Sequence, residues 1–244
     1  MSAPQRSSGR RSSSMSEAAA DDLNADLGAR VIARASEMDW VASPAGGVER
    51  KRYHRFGPPE SGQVTSLVRY LPGARFPLHP HPGGEEIYVI EGTFSDARGD
   101  WPAGSWLANP EGFEHAPWSD EGCLIFVKLR QYPGARPRAG LDTNGPAARW
   151  QPGAQGGEVL RLLDDARFPE RISLERLPAG TELAFYAEGG LEAFVVAGLV
   201  EVDDEPVDAF AYLRLPAGEP ARVRIREDAL LWIKRDGVTA LRGR

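Results

Sequence analysis

The chain has 244 residues, 41% of them hydrophobic and 26% charged, with a net charge of −6. That length suits one large or two small domains with a buried core, and the acidic balance argues against a nucleic-acid surface. A single cysteine, Cys123, excludes an intramolecular disulfide framework and points to a reducing cytoplasm, while the absence of any run of 18 or more apolar residues leaves no transmembrane helix and no membrane partner.

Residues 1 to about 15 are polar, carry Arg6, Arg10 and Arg11, and read as a disordered basic tail; Met15 is an alternative start. Residues 18–36 have helix-forming composition, with Leu23, Leu27, Val31 and Ile32 spaced to share one face, so a short amphipathic helix is expected there. From Trp40 onward, apolar runs alternate with Gly and Pro, which number 27 and 20. This pattern predicts a turn-rich all-β protein. Strands are expected near Val48–Phe56, Gln63–Leu71, Phe76–His81, Glu86–Gly92, Thr93–Ala97, Ser105–Asn109, Glu114–Trp118 and Cys123–Gln131. Residues 133–156 are rich in Pro, Gly, Ala and Arg and read as a linker.

The chain has four histidines, and three of them fall into one constellation. Gly73, five residues, His79-x-His81, three residues, Glu85, six residues and Gly92 make one block; Gly104, five residues, Pro110-x-Gly112, two residues and His115 make a second. Residues two apart on a strand share a face, so His79 and His81 project together. Three imidazoles and a carboxylate suit a divalent ion, with Zn or Fe(II) first and Mn or Ni as further options. His115 is distant in sequence, so its arrival at the site requires a sheet closed on itself, such as a small barrel whose mouth holds one ligand.

These two blocks resemble the two motifs of the cupin superfamily at every spacing; Ser119 stands where the second motif usually ends in Asn. The wording "PGARFPLHPHPGGEEIYVIEGTFSDARGDWPAG" and "EGCLIFVKLRQ" looks like the cupin domain of the ChrR anti-sigma factor and its stand-alone relatives, from about Trp40 to Gln131. The resemblance implies a double-stranded β-helix, or jelly-roll, barrel. It also implies a metal held by His79, His81, Glu85 and His115.

The second half repeats the first. A shift of 106 residues places Asn109-Pro110-Glu111-Gly112 on Leu215-Pro216-Ala217-Gly218 and Leu124-Ile125-Phe126-Val127-Lys128 on Leu230-Leu231-Trp232-Ile233-Lys234. The expectation is a bicupin, with two small barrels in tandem behind a tail and short helix (1–36). A metal-binding barrel (37–132) is joined by the linker to a degenerate barrel (157–244). In the copy His79, His81, Glu85 and His115 become Phe185, Ala187, Leu191 and Ala221, and no histidine follows His115. One metal per chain is therefore expected. One residue over, Tyr186, Glu188 and Glu192 are candidates for a small-molecule pocket in the copy.

Glu86 competes with Glu85 as the carboxylate ligand, but Glu85 shares a face with Ile87 and Val89. Trp106 and Phe113 are candidates to line a substrate cavity, as are Glu86, Tyr88, Cys123 and Phe126. Cys123 reads either as a core thiol or as a redox-sensitive thiol near the metal. His54 reads as a surface histidine on its strand.

No catalytic residue is assigned. The ChrR resemblance implies a zinc-binding module that responds to oxidative stress and releases a sigma factor. This chain has neither Cys nor His before His54, unlike the helical sigma-binding domain of such proteins, so direct sigma-factor binding is not expected. A metal-binding module responding to a small molecule or to oxidative stress remains the leading expectation. The alternative, taken from other relatives of this branch, is an Fe(II)-dependent dioxygenase that cleaves a diketone or hydroxyketone. A homodimer is the expected assembly, because open barrel edges invite pairing.

Overall fold

The computed structural model describes residues 22–58, 61–132, 134 and 136–241. These residues are almost all β-strand and loop, with two single turns of 3₁₀ helix at Ala35–Glu37 and Val238–Ala240. Among them no helix is long and apolar enough to cross a membrane. The basic tail falls outside the described residues.

The strands group by chain half. In the first half, a ten-stranded sheet runs through Ala139–Asp142, Ser105–Asn109, Glu85–Asp96, Cys123–Leu129, Gln63–Tyr70, Val48–Phe56 and Val41–Ala42, with three short strands off this path. A separate ribbon pairs His79–His81 with Phe113–His115. In the second half, a seven-stranded sheet centres on Leu191–Ala197, Ala229–Arg235 and Arg171–Leu177, and a four-stranded sheet carries Glu182–Phe185 and Ala221–Ile225. All pairings between these strands are antiparallel, which suits the short alternating runs and tight Gly turns of the sequence.

The 106-residue repeat extends to individual strand pairings. Glu85 lies opposite Leu129 and Asn109; Leu191 lies opposite Arg235 and Leu215. Both halves carry the same register shift, between Leu124 and Ile125 and between Val195 and Ala197. A bulge is fixed by local chain geometry, and here a glycine sits beside it each time. Gly92 (φ +70) and Gly198 (φ +90) occupy the left-handed region, and a Cβ on either would collide with the carbonyl just before the neighbouring strand, that of Gly122 or Asp228. The motif glycine thus persists in the copy for backbone reasons, independently of metal ligation.

Three clusters form the core. Ile87, Val89, Leu107, Ile125 and Val127 line the inside of the first half. Leu183, Phe185, Leu191, Val223 and Ile233 fill the inside of the second. A third cluster joins the halves, with Tyr53, Tyr88, Trp106 and Phe126 packed against Phe194, Tyr212 and Trp232. The Phe126 and Phe194 rings stack at 4.3 Å.

Three expectations change here. The helix expected over 18–36 is absent from residues 22–36, and residues 18–21 lie outside the described set. Val31–Ala33 is instead a strand, paired with Tyr212–Leu215 at the edge of the second half's sheet. β-Branched Val31 and Ile32 favour that pairing, and the strand covers an open edge. The stretch read as a linker also carries strands: Ala139–Asp142 extends the first sheet beside Ser105–Asn109, and Gln151–Pro152 begins the second. Finally, His54 is fully buried, not at the surface. A register shift between Arg52 and His54 turns it towards the other half, where Arg214 Nη1 lies 3.2 Å from its Nδ1. Burial pushes its imidazole down to about 4.

Candidate metal centre

The antiparallel ribbon creates the site. His79 lies directly opposite His115, and Phe113 opposite His81. His81 is two residues along from His79, so all three imidazoles leave the same face. Their ring centroids lie 4.7–5.0 Å apart, and one nitrogen from each falls within 4.8 Å of the others. His81 and His115 are buried; His79 is half-buried at the mouth.

Glu85 arrives by a turn. The Gly84 amide donates to the His81 carbonyl at 3.1 Å, and Gly84 takes φ +71 where a Cβ would meet the Tyr132 carbonyl. The strand Glu85–Asp96 then starts with Glu85 facing the imidazoles. Its Oε2 lies 3.6 Å from both His81 Nε2 and His115 Nε2. Asn109, its cross-strand neighbour, donates from Nδ2 to the same oxygen at 3.0 Å.

Neighbouring groups orient the rings. His79 Nδ1 lies 2.8 Å from the Pro77 carbonyl and is the donor there, which leaves Nε2 as a lone-pair donor for an ion. His115 Nδ1 lies 3.4 Å from Asp96 Oδ2. Burial pushes the Asp96 carboxyl up, but the His115 hydrogen bond, the Arg98 amide and the Arg98 charge outweigh it and hold the carboxyl below its usual value. Asp96 accepts from His115 Nδ1, which turns His115 Nε2 into the site. Burial lowers His79, and it lowers His81 to about 4, which favours the neutral imidazole that ligation requires.

The arrangement fits a divalent ion. His81 Nε2 and His115 Nε2 face each other at 3.0 Å. Two lone pairs at that distance repel unless a proton or cation lies between them. An ion at ~2.1 Å from two imidazole nitrogens, at right angles, holds them about 3.0 Å apart. A cavity of about 500 Å³ opens beside the triad, walled by Val68, Tyr70, Ile125 and Val127 and carrying Arg50, Ser66 and Arg130.

The other candidates go elsewhere. Glu86 faces away from the triad, where its oxygens accept from Trp106 Nε1 at 3.0 Å, Trp232 Nε1 at 3.1 Å and Lys234 Nζ at 3.0 Å. Tyr88 shares its face, and Trp106 and Phe126 are Tyr88's cross-strand partners. All four therefore lie in the core between the halves, as strand alternation requires, and not in the cavity. Phe113 packs on His115 at 5.3 Å with the Arg98 guanidinium 4.2 Å from its ring. Cys123 is buried in the first half's core, where burial pushes its thiol up to about 11, so it is not a reactive thiol beside the metal.

In the second half, Phe185 lies opposite Ala221 as His79 lies opposite His115. Phe185, Ala187, Leu191 and Ala221 are buried in its apolar core, so the space of the triad is filled. Tyr186 is half-exposed while Glu192 is fully buried against Lys128; these do not form a pocket. Asp96 was not legible in the sequence, because no spacing rule reaches it across the bulged strand.

Residues 28–133 match a family model described as the ChrR cupin-like domain. The curated proteins contain no match to the chain. Among solved structures, the chain resembles the bacterial pirin YhhW from Escherichia coli in complex with nickel(II), at 16% identity and TM-score 0.61, over 84% of this chain and 98% of that one. It also resembles the protein Ylba from E. coli, at 15% identity and TM-score 0.65, over 87% and 93%. A third is a candidate dioxygenase from Nostoc punctiforme, at 15% identity and TM-score 0.62, over 88% and 81%. At these identities the likeness establishes a cupin-like jelly-roll fold.

Proposed function

With residues 28–133 a ChrR cupin-like domain as the premise, we propose that this protein is a bicupin binding one divalent metal per chain, and that the site responds to a small molecule or to oxidative stress. The carrying observation is the pair of imidazole nitrogens 3.0 Å apart, with a third imidazole and the Glu85 carboxylate beside them. His79, His81 and His115 would hold the ion, with Glu85 as the fourth ligand. Zn or Fe(II) suits this donor set; the nickel in the E. coli pirin belongs to that protein.

The division into a metal-binding barrel (37–132) and a degenerate barrel (157–244) draws support from the repeated strand register and from the apolar filling of the second triad position. We read the second barrel as scaffold. It covers the aromatic face of the first, so a homodimer would form through other surfaces. The single cysteine supports a cytoplasmic setting.

A second reading is an Fe(II)-dependent dioxygenase acting on a diketone or hydroxyketone. The cavity beside the triad favours it, since a purely structural site needs no ligand space. A bound ion would supply Lewis-acid polarisation of a chelating oxygen. The chain itself would contribute the apolar wall of Val68, Ile125 and Val127 and the Asp96–His115 contact that fixes the ring.

Elemental analysis of protein purified without chelator, paired with oxygen uptake by Fe(II)-loaded protein on β-diketones and hydroxyketones, separates the readings. One zinc per chain without uptake supports the responsive module. Iron with uptake that disappears in His79→Ala supports the dioxygenase. A His79→Ala/His115→Ala double variant that keeps one tightly bound metal overturns the site.

A further inference from the structure

The inner wall of the first half carries polar groups that the metal reading does not use. Ser66 and Arg50 line the cavity on the strands Gln63–Tyr70 and Val48–Phe56, away from the histidine ribbon. Ser66 is 3% exposed, and its hydroxyl has no hydrogen-bond partner among the described residues. Arg50 lies opposite Val68, and its Nη2 donates to Ser43 Oγ at 2.7 Å, which pins the guanidinium at the wall. A guanidinium keeps its charge in any protein surroundings.

The second half provides an internal comparison. Ser66 pairs with Val127, and Ser173 pairs with the equivalent Ile233. Val68 pairs with Ile125, and Glu175 pairs with the equivalent Leu231. The wall of the second half is therefore closed by its own carboxylate: Ser173 Oγ donates to Glu175 Oε1 at 3.0 Å, and Arg235 Nη1 donates to the same oxygen at 2.8 Å. In the first half Ser66 stays at the place of Ser173, Val68 stands at that of Glu175 and Leu129 at that of Arg235; Arg50 enters from the neighbouring strand, where the copy has Val159, and open volume lies where the copy has its carboxylate. Glu85 is the only acidic side chain among the described residues lining that cavity, and it faces the imidazoles.

We propose that the cavity binds a small carboxylate-bearing molecule whose carboxylate is received by Arg50 and Ser66, where Glu175 sits in the copy, and whose apolar body lies against Val68, Ile125 and Val127. The proposal rests on the reading of this cavity as a ligand site and names the ligand class. The carboxylate site itself does not need the ion. A carboxylate accepting from a guanidinium and a hydroxyl gains charge-assisted hydrogen bonds.

The test is isothermal titration of benzoate and hexanoate, with benzamide and hexanamide as uncharged counterparts, into the full chain both metal-loaded and metal-stripped. Metal content is measured on every sample. The expected result is binding of the acids in both states, with the amides weaker by about tenfold or more. Arg50→Met and Ser66→Ala should each weaken the acids by about tenfold while metal content stays unchanged. Ser66→Ala carries the test alone should Arg50→Met fail to fold. Acids that bind only the metal-loaded chain, or bind Ser66→Ala as tightly as the parent, or fail to bind at millimolar concentration, overturn the proposal and leave the metal reading standing. Loss of metal from the parent chain would overturn the metal reading without touching the carboxylate site.

Discussion

Lys128 Nζ donates to Glu192 Oε1 at 2.5 Å, and both side chains are fully buried. The repeat produces the reciprocal pair, since Lys234 Nζ donates to Glu86 Oε2 at 3.0 Å. Each lysine reaches from one half to the glutamate of the other. Tyr212 donates to Glu192 as Trp106 donates to Glu86. Reciprocal exchange of equivalent contacts is the signature of an isologous interface, here formed within one chain.

Breaking one of these pairs leaves a charge in an apolar core. Lys128→Met should destabilise the protein by about 3–5 kcal/mol, because Glu192 stays buried without its cation. Lys128→Met/Glu192→Gln should recover much of that loss. Denaturant unfolding of the two variants and the parent measures both effects; equal midpoints for Lys128→Met and the parent would contradict the assignment.

Glu192 should also shape the acid limb of stability. Burial pushes its carboxyl up, but Lys128, Lys234 and the Tyr212 hydroxyl outweigh burial and hold it down at about 2, against an ordinary value of 4.5. A depressed folded-state value means that the unfolded chain binds the proton first. The contribution is present above about 4.5, declines as pH falls below it, and is gone below about 2. Glu192→Gln should therefore flatten the stability profile between those values. An unchanged slope in the variant would count against the pair.

Asp96 is a positioning residue for His115. Asp96→Asn removes the negative acceptor and allows the wrong ring tautomer. Metal affinity should fall by about 10–100-fold, read by competition with a chromogenic chelator. His79→Ala and His115→Ala should abolish stoichiometric binding. The second half should stay folded in both, because its core is separate from the triad.

Metal removal should lower stability by mass action. Free metal at a hundred times its dissociation constant contributes about 2.7 kcal/mol. A chelator should lower the melting temperature of the parent and leave that of His79→Ala unchanged.

Gly92→Ala should destabilise the chain by about 1 kcal/mol or more. It places a Cβ in the left-handed region against the Gly122 carbonyl. Gly198→Ala should do the same in the second half, which lacks the histidines of the triad, showing that the motif glycine serves the bulge.

Several features follow from the sequence alone. Alternation and Gly/Pro punctuation placed Val48–Phe56 and Ser105–Asn109 at their observed ends. Spacing brought His79, His81 and His115 together, because a two-residue strand repeat is local and three clustered imidazoles are the donor set of a divalent ion. The parity that set Glu85 beside Ile87 also implied that Glu86 and Tyr88 face away. Tertiary structure decided what lies beyond that other face. Only the docking of the second half turns Glu86, Trp106 and Phe126 into an internal interface instead of a cavity wall, and only an open sheet edge makes a strand of Val31–Ala33. Asp96, Ser66 and Arg50 acquire their roles from strands that meet after the sheet bends and bulges. Such contacts depend on long-range register, which local pattern does not encode.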